Sequence, residues 1–178
     1  MTPDDLKALV RTVPDFPARG VQFRDITTLI GHGEGLRHAV RQLAERCDAS
    51  GVDAVAGMEA RGFIFGAAVA IELGVGFVPV RKPGKLPVDT IGVDYALEYG
   101  SDRLEMDPLA VSKGHRVAIV DDLIATGGTA LAAVELLRKA GAEVPLAAFV
   151  IDLPELGGAD RLRSAEVPVE TLMHFEGE

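Results

Sequence analysis

A short aliphatic run, Val117-Ala118-Ile119-Val120, ends on two adjacent carboxylates, Asp121 and Asp122. After a brief spacer the chain clears away its bulky side chains in Ala125-Thr126-Gly127-Gly128-Thr129, and an Ala/Leu-rich segment follows. An apolar run without polar alternation suits a strand buried on both faces, which implies a parallel sheet covered by helices. A strand that stops on two acids and gives way to glycines also offers its carboxyl end to a ligand, where open α/β sheets bind theirs.

The flanking sequence extends this pattern. Pro3 to about Val13 is predicted to be a helix, with Thr2 as N-cap and Pro3 at its first position. The Pro/Gly-punctuated stretch PDFPARGVQFRDIT reads as loop with one short extended piece. From about Glu34 to Ala49, Leu36, Val40, Leu43 and Cys47 fall on one helical face. DAVAGM, FIFGAAVAIELG and GFVPV then read as strand, helix and strand, one βαβ unit from Asp53 to Val80. A second unit joins strand RVAIVDD, a helix from Gly128 to Ala140 stopped by Gly141, and strand EVPLAAFVIDL. Between the units, Ile91, Val93, Tyr95, Leu97 and Tyr99 alternate up to Gly100-Ser101, predicting an antiparallel β-hairpin flap over about 82–107. The expected fold class is α/β, a central, mostly parallel sheet flanked by helices, as a single domain over 1–178.

The Ala125–Thr129 loop can turn several backbone N–H groups into one small volume, and the positive end of the next helix adds to them. That combination favours an anion, phosphate above all. Carboxylates beside a phosphate site make sense when the ligand is a sugar phosphate: Asp121 and Asp122 would accept from ribose hydroxyls while the loop holds the phosphate. A bare Thr-Gly-Gly turn is common in structure without any ligand; the ordered series of strand, Asp-Asp, loop and helix is far more specific. It is neither the Gly-Lys-Ser/Thr P-loop nor the dinucleotide G-x-G-x-x-G pattern.

Charge and composition exclude several alternatives. A formal net charge of -9 without a block of Lys or Arg argues against a nucleic-acid surface. The apolar runs fall far short of the ~18 residues of a membrane span. The first residues carry acids and a helical pattern, unlike a signal peptide. A lone cysteine, Cys47, forms no internal disulfide, and His32, His38, His115 and His174 are scattered, with no zinc spacing. A cytoplasmic protein is expected.

VAIVDDLIATGGT resembles the phosphoribosyl-pyrophosphate (PRPP) loop of the type I phosphoribosyltransferases. VPDFPARGVQFRDIT, EARGFIFG, VPVRKPGKLP and YALEYGSDRLEM narrow the likeness to the adenine phosphoribosyltransferase family, in the expected order from about Val13 to Leu156. The resemblance implies adenine salvage: adenine and PRPP give AMP and pyrophosphate, with Mg²⁺ arriving on PRPP and no dedicated protein cage for the metal. It also implies a homodimer, with segments near Arg81 at its interface.

The resemblance further assigns roles. Asp121, Asp122, Ala125, Thr126, Gly127, Gly128 and Thr129 would hold the ribose and its 5'-phosphate. Ala60, Arg61, Arg81, Lys82 and Lys85 would meet pyrophosphate, with Arg61 and Lys85 also acting in catalysis, and the Glu59–Ala60 peptide is typically cis. Glu98 would come over the purine on the flap and assist proton transfer, with Tyr99 helping the flap to close. Gln22, Phe23, Arg24 and Leu153 would receive adenine, the first three within a base-recognition segment over about 13–30. Gln22 departs from the apolar residue common there, which a backbone contact tolerates. Without the resemblance, Arg61 would read as a surface salt bridge, Lys82 as a solvated cation, Glu98 as an exposed hairpin acid, and Phe23 and Leu153 as core. Three rival readings fit the sequence less well. A PRPP-sensing regulator would need a basic surface or a further domain. A transferase for another base would differ in VQFRDIT and LEYG. A PRPP-synthesising enzyme would be longer and carry an ATP site.

Overall fold

The computed structural model describes residues 1–96 and 100–177. Its elements in chain order are α1 (Pro3–Ala8), β1 (Arg11–Pro14), β2 (Gln22–Asp25), α2 (Thr27–Ile30), α3 (Gly33–Ala49), β3 (Ala54–Met58), α4 (Arg61–Leu73) and β4 (Gly76–Val80). There follow β5 (Ile91–Ala96), β6 (Ser101–Met106), β7 (Val117–Ile124), α5 (Gly128–Lys139), β8 (Ala147–Asp152), α6 (Gly158–Ser164) and β9 (Val169–His174).

The central sheet has the order β4-β3-β7-β8-β9, and every pairing in it is parallel. The aliphatic runs that lack polar alternation are its strands, as expected of a sheet covered on both faces. One apolar layer, with Leu43, Phe65 and Val69, lies under α3 and α4; the other, with Leu136, Leu137 and Leu162, lies under α5 and α6. Chain order reverses direction between β3 and β7, which makes the crevice beyond their carboxyl ends the topological switch point.

The ladder has one irregularity. Asp121 pairs with Phe149 and Leu123 with Ile151, but no pair forms at the level of Asp122 and Val150. The β8–β9 ladder skips at the same level, between Phe149–Thr171 and Ile151–Met173. Beyond this crease the faces exchange: Ile119 and Ile124, five positions apart, lie in the same apolar layer, and the successive residues Val150 and Ile151 share the other.

β5 and β6 form the expected antiparallel hairpin, with Ala96 opposite Ser101. It does not stand free of the body, because Val93, Leu104 and Met106 are buried in the layer that includes α5. An antiparallel bridge between Arg81 and Glu105 ties its root to the end of β4. Leu97 and Tyr99, which complete the predicted alternation, lie outside the described residues.

Several boundaries differ from the sequence expectation. Thr2 and Pro3 begin α1 with a capping box, but the helix stops at Ala8 instead of about Val13. Thr12, Val13 and Pro14 pair with β2 instead, in keeping with the β preference of branched residues and the poor fit of proline inside a helix. α4 starts two residues before the predicted Phe63, and β7 runs two residues past the acids. α2, α6 and β9 were not anticipated. Among the described residues no helix is long and apolar enough to cross a membrane.

Candidate active site

A cavity of about 300 Å³ opens at the switch point. Its walls are the β3–α4 turn at Glu59, Ala60 and Arg61, the β7 end from Asp121 to Ile124, the Ala125–Thr129 loop, and Lys82 from beyond β4. Two helices start here, α4 after Ala60 and α5 after Gly127, and neither has a side-chain cap. Their first N–H groups are therefore available to a ligand, and both dipoles favour negative charge.

The loop between β7 and α5 is shaped by close packing. Gly127 has φ +79°, and a Cβ there would lie 2.9 Å from the Gly158 backbone. A Cβ on Gly158 would lie 2.3 Å from the Ala125 carbonyl oxygen, which accepts a 3.0 Å hydrogen bond from the Gly158 N–H. Arg161 Nη1 donates to the Thr126 carbonyl at 2.6 Å. The start of α6 thus clamps the loop from behind. Gly158 and Arg161 were missed from sequence; a second Gly-Gly pair, Gly157-Gly158, after the next strand was the available signal.

Both acids line the cavity. Gly62 makes room for Asp121, since a Cβ on it would come within 2.7 Å of Oδ1; the same oxygen accepts the Asp122 N–H at 2.8 Å. Burial first, and then the negative charge of Asp122, push the Asp121 carboxyl well above the usual carboxylate range. Asp122 is buried and accepts a hydrogen bond from Arg61 Nε. The other guanidinium N–H groups of Arg61 have no partner among the described residues.

The Glu59–Ala60 peptide is cis. The Glu59 carboxylate accepts from the Lys82 backbone N–H and, at 3.1 Å, from Arg81 Nη2. Burial opposes its charge, but these two donors prevail and hold its carboxyl below the ordinary glutamate value. Arg81 is further occupied by the Lys85 carbonyl at 2.9 Å and by the face of Phe63. Of the five residues predicted for pyrophosphate, Ala60, Arg61 and Lys82 line the cavity; Arg81 turns its guanidinium onto Glu59, and Lys85 is exposed.

Gln22, Phe23, Arg24 and Leu153 are half-buried and lie outside the lining of this cavity. They are nonetheless tied to its rim. Arg24 stacks on Phe175 and donates to Thr12 Oγ1 at 2.6 Å and to the Glu176 carbonyl at 2.7 Å. The Phe175 N–H bonds the Asp152 carbonyl, next to Leu153, whose own N–H bonds the Ile124 carbonyl. The β1–β2 hairpin is thereby anchored beside the carboxyl end of β8, with Phe23 edge-on to Phe16 at 5.1 Å. Glu98, expected to handle protons, lies outside the described residues.

Residues 28–172 match the family model of the phosphoribosyl transferase domain. The chain is 70% identical over 177 residues to an adenine phosphoribosyltransferase of Erythrobacter litoralis (strain HTCC2594), covering 99% of each chain. An adenine phosphoribosyltransferase crystal structure from Rhodothermus marinus superposes with a TM-score of 0.90 at 50% identity, over 97% of this chain and 98% of that one. The Saccharomyces cerevisiae enzyme, complexed with an imino-altritol bisphosphate and adenine, gives 0.89 at 39% identity over 96% and 98%.

Proposed function

The chain belongs to the adenine phosphoribosyltransferase family, and we propose that it makes AMP in the switch-point cavity. It transfers the 5-phosphoribosyl group of PRPP to adenine and releases pyrophosphate, a pentosyl transfer that salvages the base. The observation that carries the assignment of the site is the convergence of two uncapped helix starts, two adjacent acids and two cations on one cavity. A sugar bearing a phosphate at one end and a pyrophosphate at the other has charges and hydroxyls to match.

The N–H groups of the Ala125–Thr129 loop and the start of α5 take the 5'-phosphate, with the Thr126 and Thr129 hydroxyls as further donors. Asp121 and Asp122 accept from the ribose hydroxyls. Beside them, Arg61, itself bonded to Asp122, Lys82 and the N–H groups after Ala60 receive pyrophosphate, while Arg81 and Lys85 act from the rim. Breaking the anomeric carbon–oxygen bond builds positive charge on the sugar and negative charge on the leaving group. Fixed acids at the sugar and fixed cations at the leaving group stabilise that separation. Mg²⁺ arriving on PRPP would supply further neutralisation of the charge on the leaving group. With Asp122 engaged by Arg61, the two acids fit ribose hydroxyls and ordered water better than a direct metal bond.

Adenine enters between Phe23 and Leu153. Backbone groups at Gln22 to Arg24 read its edge, since the Arg24 side chain is committed to Thr12, Phe175 and Glu176. A carbonyl that accepts from the exocyclic amine rejects a 6-oxopurine, which would leave it unpaired. Glu98 assists proton transfer on the imidazole ring, and Tyr99 helps the flap to close. The protein works in the cytoplasm as a homodimer, and the exposed Ile64 and Ile71 on one side of α4 offer an apolar face for the contact. Light scattering of the eluted protein tests the dimer.

The decisive experiment supplies PRPP and Mg²⁺ with adenine, hypoxanthine, guanine or orotate and follows pyrophosphate release. Release with adenine alone, together with AMP, is expected. Release with another base overturns the purine reading, and PRPP binding without release overturns the transferase.

A further inference from the structure

Among the described residues, Lys82 is the one cavity-lining cation whose side chain is held by the hairpin. Its Nζ donates to Asp102 Oδ2 and, at 3.1 Å, to the Tyr95 hydroxyl. Tyr95 in turn donates to the same Asp102 oxygen at 3.1 Å, and the Thr129 hydroxyl of the phosphate loop reaches the Tyr95 oxygen at 3.5 Å. The inventory is nearly closed. The Tyr95 oxygen accepts from Lys82 and Thr129 and donates once; Asp102 Oδ1 accepts from the Arg103 N–H at 2.8 Å. An ammonium has three N–H groups, so one of the three on Lys82 remains for the cavity.

We propose that Asp102 is a positioning residue, which sets the Lys82 ammonium at the cavity mouth and, through Tyr95, registers it against the phosphate loop at Thr129. The inference rests on the reading that Lys82 meets pyrophosphate. Burial works against the charge on Lys82, but its bonds to Asp102 and Tyr95 keep the ammonium pKa above the ordinary lysine value. Lysine is a flexible chain whose rotamer freedom is lost when it binds an anion, so a side chain already held loses less. Asp102 itself is held in place: its neighbour Arg103 bonds Glu105 and Asp94 on the hairpin, where Gly92 leaves room for the guanidinium.

The proposal has a sign that simple charge counting does not share. Removing a negative charge next to an anion site should strengthen pyrophosphate binding if only Coulomb's law acted; loss of positioning should weaken it. Calorimetric titration of Mg²⁺-pyrophosphate into the full-length protein reads this without any need for turnover. Asp102→Asn is expected to weaken binding about tenfold, the worth of one charge-assisted contact. KM for PRPP should rise in parallel, KM for adenine should stay unchanged, and Asp102→Glu should recover part of the loss. In a Lys82→Met background, Asp102→Asn should add nothing further, since the two act as one unit. Equal or tighter pyrophosphate binding by Asp102→Asn, or additive losses in the double variant, overturns the proposal. Melting curves identify a variant that has lost its fold, and Tyr95→Phe, which keeps the half-buried ring, then carries the test with an expected loss of about threefold. If wild-type protein binds pyrophosphate but makes no AMP, the proposed function falls and this inference stands. If it makes AMP and Asp102→Asn binds pyrophosphate normally, only this inference falls.

Discussion

The two walls of the cavity are built from different material. On the Ala125–Thr129 side the recognition surface is backbone: N–H groups, a helix start, and Gly127 pressed against the backbone of Gly158. On the Arg61 and Lys82 side it is side chain, and each cation is tied to an acid, Arg61 to Asp122 and Lys82 to Asp102. The first wall is shaped by where the chain runs; the second depends on which partner each long side chain keeps. A wall of the first kind should be intolerant of one added methyl group, whereas a wall of the second kind should degrade in steps.

The largest effect is expected from Gly158→Ala, a change behind the phosphate loop at a residue outside the cavity lining. Its Cβ would lie 2.3 Å from the Ala125 carbonyl and displace the loop. A shift of about 1 Å in a positioned group can lower rates ~100-fold, and kcat/KM for PRPP should fall by about that factor. A loss below threefold would mean that the loop is not clamped from behind. Next, the double substitution Asp121→Asn, Asp122→Asn should raise the Kd for PRPP by about 30-fold while the protein remains folded, two weakened charge-assisted contacts being involved. Unchanged PRPP binding by calorimetry would remove the ribose assignment.

On the side-chain wall, Arg61→Lys keeps the charge but loses the planar fork, and about a tenfold drop in kcat/KM is expected. A collapse as severe as that of Gly158→Ala would erase the contrast between the walls. The smallest effect concerns stability. The Asp121 carboxyl is pushed upward in the folded state by burial and by Asp122, so the fold holds its proton more tightly than the unfolded chain does. Its contribution is most favourable below an unfolded pKa of about 3.9 and declines as pH rises from there toward the folded value. Asp121→Asn alone should therefore melt about 2–4 °C higher near neutrality, with the gain vanishing in acid. Lower melting at pH 7, followed by scanning calorimetry, would contradict that sign.

Much of the backbone wall was legible in the sequence. Glycines at 127 and 128, two acids at a strand end and an Ala/Leu-rich helix are local signals, and the βαβ units follow from apolar periodicity. The side-chain wall was only partly legible. Arg61 and Lys82 could be singled out as cations, but what holds them could not, because Asp122 and Asp102 lie 61 and 20 positions away along the chain. The clamp on α6 was hidden for a similar reason: Gly158 acts on Ala125 across a helix and a strand. α1 was read too long because Thr12 and Val13 continue an amphipathic pattern, while their pairing with β2 is non-local.

The crease at Asp122 and Val150 also bears on transplantation. In an uninterrupted strand adjacent side chains obey an odd–even rule, so Asp121 and Asp122 would serve opposite faces. Here the parity slips at that level in three neighbouring strands together, and both acids reach the same cavity. The motif is thus a property of three strands rather than of fourteen consecutive letters. Grafting Val117–Ala130 onto a parallel sheet of unbroken parity would carry over the glycines but strand one carboxylate in the opposite apolar layer. A successful graft would have to bring the matching slips of β8 and β9 with it.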